Sequence, residues 1–145
     1  MGVIHLKEQI LKGHRIAKGK TEGEALVSRD RFSFWGTVDL QTGVVHERGH
    51  DLKGVCIKDK ILIYPTGKGS GGGSARLYSL IRAGLGPKAI LNVKAEAVTT
   101  IGAIMGNIPM MDQFEANPTE VIHTGDYVHV DADNETIRVI RKRSD

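Results

Sequence analysis

The chain has one cysteine, four prolines, a single tryptophan and an aromatic content of only 5%. Each scarcity excludes something. One thiol cannot form an internal disulfide, and Cys56 alone cannot hold an iron–sulfur cluster or a structural zinc, both of which take several ligands. Flanked by Gly54, Val55 and Ile57, it reads as a small buried hydrophobe rather than a reactive thiol. No apolar run approaches the roughly 20 residues that span a bilayer. Lys7, Glu8 and Lys12 interrupt the first apolar stretch, so it lacks the core of a signal peptide and a cytoplasmic location is expected. The net charge of +3 is small. Much of it gathers in Arg138, Arg141, Lys142 and Arg143, where no aromatic residue interleaves the cations, as expected of a solvated strand end rather than a nucleic-acid surface.

What remains is ordinary soluble composition, 40% hydrophobic and 26% charged over 145 residues, enough for one domain spanning residues 1–145. Short apolar runs at 24–28, 54–57, 61–64, 89–91 and 127–130 read as strands, and a last strand at 136–140 follows the Asp133-Asn134 turn as a hairpin. Helices are expected over 74–83, closed by Gly84, and around 99–105, closed by Gly106, with a short strand at 108–110. Residues 1–12 suggest an amphipathic turn of helix. The middle therefore alternates strand and helix while the ends read as antiparallel β, an α/β chain with a mixed sheet. Residues 30–51 show no clear period but carry Phe32, Phe34, Trp35, His46 and His50, and such loops are often functional.

The chemistry is expected at Gly67-Lys68-Gly69-Ser70-Gly71-Gly72-Gly73-Ser74, between the strand at 61–64 and the helix that follows. A glycine-rich turn opening a helix points N–H groups and the positive end of the helix dipole at one spot, which suits an anion. It is not a nucleotide P-loop, because Lys68 precedes Ser70 instead of following the last glycine. Ser70 is the candidate base or nucleophile, Lys68 an anion anchor, and Ser74 either a second functional hydroxyl or the helix N-cap. Gly69, Gly71, Gly72 and Gly73 offer backbone N–H groups to a substrate. Arg76, on the first helical turn, is a candidate carboxylate clamp, and Asp39 either positions substrate or caps a turn. His46 and His50 would share a helical face, but Gly43, Gly49 and Val44-Val45 argue against a helix there, so no metal site is expected. No complete catalytic constellation emerges; the chain looks like half a site.

Taken in order, the motifs resemble the small subunit, or swivelling domain, of the aconitase X dehydratases. They are Gly19-Lys20-x-x-Gly23-Glu24-Ala25-Leu26-Val27, Ser33-Phe34-Trp35-Gly36-Thr37-Val38-Asp39, Gly43-Val44-Val45, Gly49-His50-x-Leu52-x-Gly54, Tyr64-Pro65-x-Gly67-Lys68-Gly69-Ser70-x-x-Gly73-Ser74, Pro87-Lys88-Ala89-Ile90 and Ile108-Pro109-Met110. The resemblance implies a swivelling β/β/α fold, with Ser70 in the place of the serine that acts as base on the substrate carbon. It further implies a large catalytic subunit that supplies an iron or iron–sulfur centre, this chain binding no cofactor itself, and a small hydroxy acid as substrate. Two branches fit. The Phe34-Trp35-Gly36 signature and Arg76 favour cis-3-hydroxy-L-proline, while Lys68 among its glycines suits phosphomevalonate. A phosphohistidine-type swivelling carrier and a stand-alone anion-binding module are the readings from other classes, and the first lacks the Thr-Ser-His turn it would need.

Overall fold

The computed structural model describes residues 4–68 and 71–144. Its elements run β1 (Ile4–Lys12), β2 (His14–Ala17), β3 (Lys20–Val27), β4 (Ile61–Tyr64), α1 (Gly73–Arg82), β5 (Ala89–Asn92), α2 (Ala97–Gly106), β6 (Met110–Asp112), α3 (Pro118–Val121), β7 (Tyr127–Asp131) and β8 (Thr136–Ser144). The eight strands hydrogen-bond in the order β1-β8-β7-β3-β4-β5-β6-β2.

Two kinds of sheet meet in β3. Its first half, Lys20 to Glu24, pairs antiparallel with β7, and its second half, Ala25 to Val27, pairs parallel with β4. The parallel strands β4 and β5 are buried along their whole length, as strands covered on both faces must be. Side chains alternate between those faces. Leu26, Leu62, Tyr64 and Ile90 join Leu77, Leu80 and Ala103 on the helical side. Ala25, Ile61, Ile63, Ala89 and Leu91 join Val128, Val130, Ile137 and Val139, contributed by the β7–β8 ribbon folded across the other side. The result is β on β on α, as the resemblance implies.

The segment 28–60 supplies a third set of apolar residues. Phe32, Phe34, Val38, Val45, Leu52 and Ile57 are all buried in the helix-side core. Apart from isolated bridges it is built of turns, and the strand expected at 54–57 is not formed. Pairing stops at a single antiparallel bridge, Val44 with Cys56, made by Val45 N–H to the Val55 carbonyl and Ile57 N–H to the Gly43 carbonyl, while Val55 N–H turns back to the Leu52 carbonyl. Cys56 is half-buried there, its thiol 3.5 Å from the Thr42 carbonyl.

Other boundaries also differ from expectation. Residues 1–12 do not form a helical turn where they are described; β1 pairs with β8 over nine successive residue pairs, from Ile4 opposite Ser144 to Lys12 opposite Thr136. That long-range pairing overrides the local helical pattern, burying Leu11 and leaving Leu6 and Ile10 outside. Strand β6 begins at Met110 and not at Ile108. α2 ends on Asn107 in the left-handed conformation, so Gly106 is its last residue and not its cap.

Candidate functional site

Strands β4 and β5 end side by side beneath the glycine loop, with the N-termini of α1 and α2 close by. Glu96 caps α2, its carboxylate accepting from Val98 N–H at 2.7 Å and Thr99 N–H at 2.8 Å, and from the Thr99 hydroxyl. Only a glycine fits at 67 beneath it, since a Cβ there would lie 2.2 Å from a Glu96 oxygen. The loop is thus seated on the cap of the second helix.

Gly69 and Ser70, the expected backbone donor and base, lie outside the described residues. The residues that flank them are placed. Lys68 Nζ contacts both Glu47 oxygens, at 2.7 and 2.6 Å, and the Thr37 hydroxyl donates to the same carboxylate at 2.9 Å. Partial burial works to raise the Glu47 pKa, and the bonds from Lys68 and Thr37 more than offset it, so this carboxyl sits below its ordinary value. Lys68 is therefore charge-compensated, which its sequence neighbours do not reveal.

Gly71 is exposed, Gly72 is the N-cap of α1 and Gly73 its first residue. No side chain among the described residues caps α1, and no acidic residue lies in its first turn, so no described side chain meets its first N–H groups. Ser74 is not the cap. Its hydroxyl donates to the Val98 carbonyl at 2.6 Å and ties α1 to α2. Arg76 stacks on Trp35, its guanidinium carbon 4.3 Å from the ring centroid. The Asp39 carboxylate accepts from the N–H groups of Gln41 and Thr42 at 2.7 and 3.1 Å, the turn-capping alternative of the two read from sequence.

Three features were not legible in the sequence. Tyr64 is fully buried and its hydroxyl has no hydrogen-bond partner among the described residues; nor has Asn92 Oδ1 beside it. Burial pushes the Tyr64 pKa well up, so it stays neutral. Two orphaned polar atoms at the strand ends are unusual where nearly all buried polar groups are paired. Third, Asp30, His50 and Asp51 bring one ligand atom each to a common point, but their groups are engaged. His50 accepts from Leu52 N–H through Nδ1 and faces the Arg31 carbonyl through Nε2, while the Asp51 oxygens accept from the Ser28 hydroxyl and Arg29 N–H. This cluster pins the turn at residues 28–31.

Among the described residues no helix is long and apolar enough to cross a membrane. The aconitase X swivel domain family matches residues 10–139. A phosphomevalonate dehydratase small subunit from Methanocella arvoryzae is 50% identical over 83% of this chain and 92% of its own length. One of the same name from Methanosarcina acetivorans is 44% identical over 92% of both chains. In three dimensions the chain is similar to the holo-form of Thermococcus kodakaraensis aconitase X, with a TM-score of 0.85, 42% identity, and coverage of 90% of this chain and 98% of that one. It is equally close, at a TM-score of 0.85 and 38% identity over 92% of its length, to a UPF0107 protein solved in solution by NMR, which it covers completely. With the β/β/α layers and the family match over residues 10–139, the chain belongs to the aconitase X swivel domain family.

Proposed function

We propose that this chain is the small subunit of a two-subunit dehydratase that removes water from phosphomevalonate. The observation that carries the reading is its 50% identity, over most of both chains, to a subunit of that name. The expectation of cis-3-hydroxy-L-proline gives way, because it rested on Trp35 and Arg76 alone and the named relatives favour the phosphorylated compound.

In this reading the chain supplies one wall of the site and the large subunit the other. Ser70, which precedes α1 in the sequence, removes the proton from the substrate carbon, and the first N–H groups of α1 with the glycine amides stabilise negative charge there. The large subunit would hold the iron or iron–sulfur centre, which would supply Lewis-acid chemistry for departure of the hydroxyl. Exposed Ile101, Ile104 and Met105 form an apolar stripe along α2, whose capped end seats the loop. A partner that covered the loop and extended along α2 would bury that stripe.

The test is to co-express the chain with its large subunit and assay phosphomevalonate and cis-3-hydroxy-L-proline side by side. Water loss from phosphomevalonate only is expected. Turnover of hydroxyproline alone would overturn the reading, and turnover by this chain without a second polypeptide would overturn the division of labour.

A further inference from the structure

Trp35 and the start of α1 are built against each other. The indole lies so close over Gly72 that a Cβ there would stand 2.2 Å from its Cε3 atom. Its backbone N–H is held by the Ser33 hydroxyl at 3.1 Å, and the same ring carries the Arg76 guanidinium on its face. Yet Trp35 remains 50% exposed, although a tryptophan with no task at the surface would be expected to bury more.

The charge balance separates the two cations beside the loop. Lys68 spends its ammonium on Glu47, and a compensated pair offers little net attraction to a dianion. Arg76 has no carboxylate within ion-pair distance among the described residues. Side chains on a helix lean over the turn N-terminal to their own Cα, which carries the Arg76 head toward the glycine loop. Stacking uses the guanidinium face and leaves its edge, a planar fork of N–H donors, free for a phosphoryl group.

Building on the proposed substrate, we infer that Arg76 is the receptor for its phosphate and that Trp35 is a positioning residue which holds the guanidinium in place. Lys68 and Glu47 then brace the loop instead of binding substrate. The general alternative, a surface cation–π pair with no ligand, predicts no effect on substrate affinity.

Because the chain has a single tryptophan, its emission reports on Trp35 alone. Titrating the full chain with phosphomevalonate, inorganic phosphate and mevalonate should give a saturable change with the two phosphorylated species, none with mevalonate, and none with any of them in Arg76→Gln. In the assembled enzyme, Arg76→Gln should raise KM for phosphomevalonate roughly ten- to a hundredfold with kcat little changed, as losing a charge-assisted hydrogen bond costs about that much. Trp35→Leu should raise KM roughly three- to tenfold, and Trp35→Phe, which keeps an aromatic face, should recover most of it. An unchanged KM in Arg76→Gln, in an enzyme that dehydrates phosphomevalonate, would overturn the inference and leave the substrate assignment standing. Should the assembled enzyme ignore phosphomevalonate, the substrate assignment falls and the phosphate titration decides. A saturable change that Arg76→Gln abolishes sustains the anion receptor, and no change removes it.

Discussion

Two ion pairs of this molecule, one at the β7–β8 ribbon and one at the glycine loop, are built differently. Beneath the β7–β8 ribbon, Arg141 forks onto Asp126 with contacts of 2.9 and 2.7 Å and donates a third bond to the Val121 carbonyl. Asp126 is only 5% exposed and also accepts from His123 N–H. Burial tends to raise its pKa, but Arg141 and the backbone bond prevail and hold it below the usual range. At the loop, Lys68 meets Glu47 with about a third of each side chain open to water. A planar fork on a buried carboxylate fixes geometry, whereas a flexible ammonium on a half-exposed one can let go. The ribbon pair is locked, and the loop pair is assembled from contacts that can be exchanged.

The largest effect that would sharpen this contrast is at the loop. Ser70→Ala in the assembled enzyme should reduce kcat by roughly 10²–10⁴, the usual contribution of a general base, with thermal stability unchanged. Wild-type turnover in that variant would transfer the role to another group.

At the locked pair, Arg141→Ala leaves a buried, uncompensated carboxylate and should cost about 3 kcal/mol of stability. That amounts to a lowering of Tm on the order of 10 °C in a chain of this size. Activity per folded molecule should persist, and a loss of activity without a loss of stability would show that the two pairs are coupled. The same pair gives the stability a pH dependence. Because Asp126 titrates lower in the folded state than in the unfolded chain, its contribution is complete above the unfolded value of 3.8 and disappears as pH falls through the lower folded value. Arg141→Ala should flatten that acid limb in calorimetry.

Gly72→Ala forces the Trp35 ring aside. A change in tryptophan emission and a several-fold higher KM are expected, with unfolding free energy altered by only about 1 kcal/mol since the ring can move into solvent. Smallest of all, Glu47→Gln should change stability by roughly 0.2–1 kcal/mol, as for other exposed pairs. A drop of Tm as large as that in Arg141→Ala would break the comparison.

Much of this architecture was legible in the sequence. The runs at 61–64 and 89–91 announced themselves as strands because burial on both faces demands unbroken apolar residues, and the helices flanked by glycine were found to within two or three residues. Strand β1 was missed because its stability comes from a partner more than a hundred residues away, which no local pattern encodes. Strand β2 pairs through a shifted register with β6 at the sheet edge, and half-buried edges leave little periodic trace. The glycine loop stood out, but not its setting. That Ser74 serves helix packing depends on α2 lying against α1, while the contact of Glu47 with Lys68 and that of Trp35 with Arg76 depend on residues brought in by the turns of 28–60. Those turns have neither the period of a helix nor that of a strand.

The antiparallel pairing of β1 with β8 bears on how the protein is made. Every contact of β1 with β8 joins the first strand to the last, so β1 must wait, unpaired, until β8 has left the ribosome. Its ladder groups and the exposed Leu6 and Ile10 are available to other chains throughout that interval. Contacts of such long sequence separation also slow folding, toward the millisecond-to-second range of non-local β topologies. The parallel layer and its helices, drawn from the middle of the chain, can collapse earlier. Charges on β1, with Lys7 and Glu8 between the two exposed apolar residues, then protect a strand that spends synthesis without its neighbour.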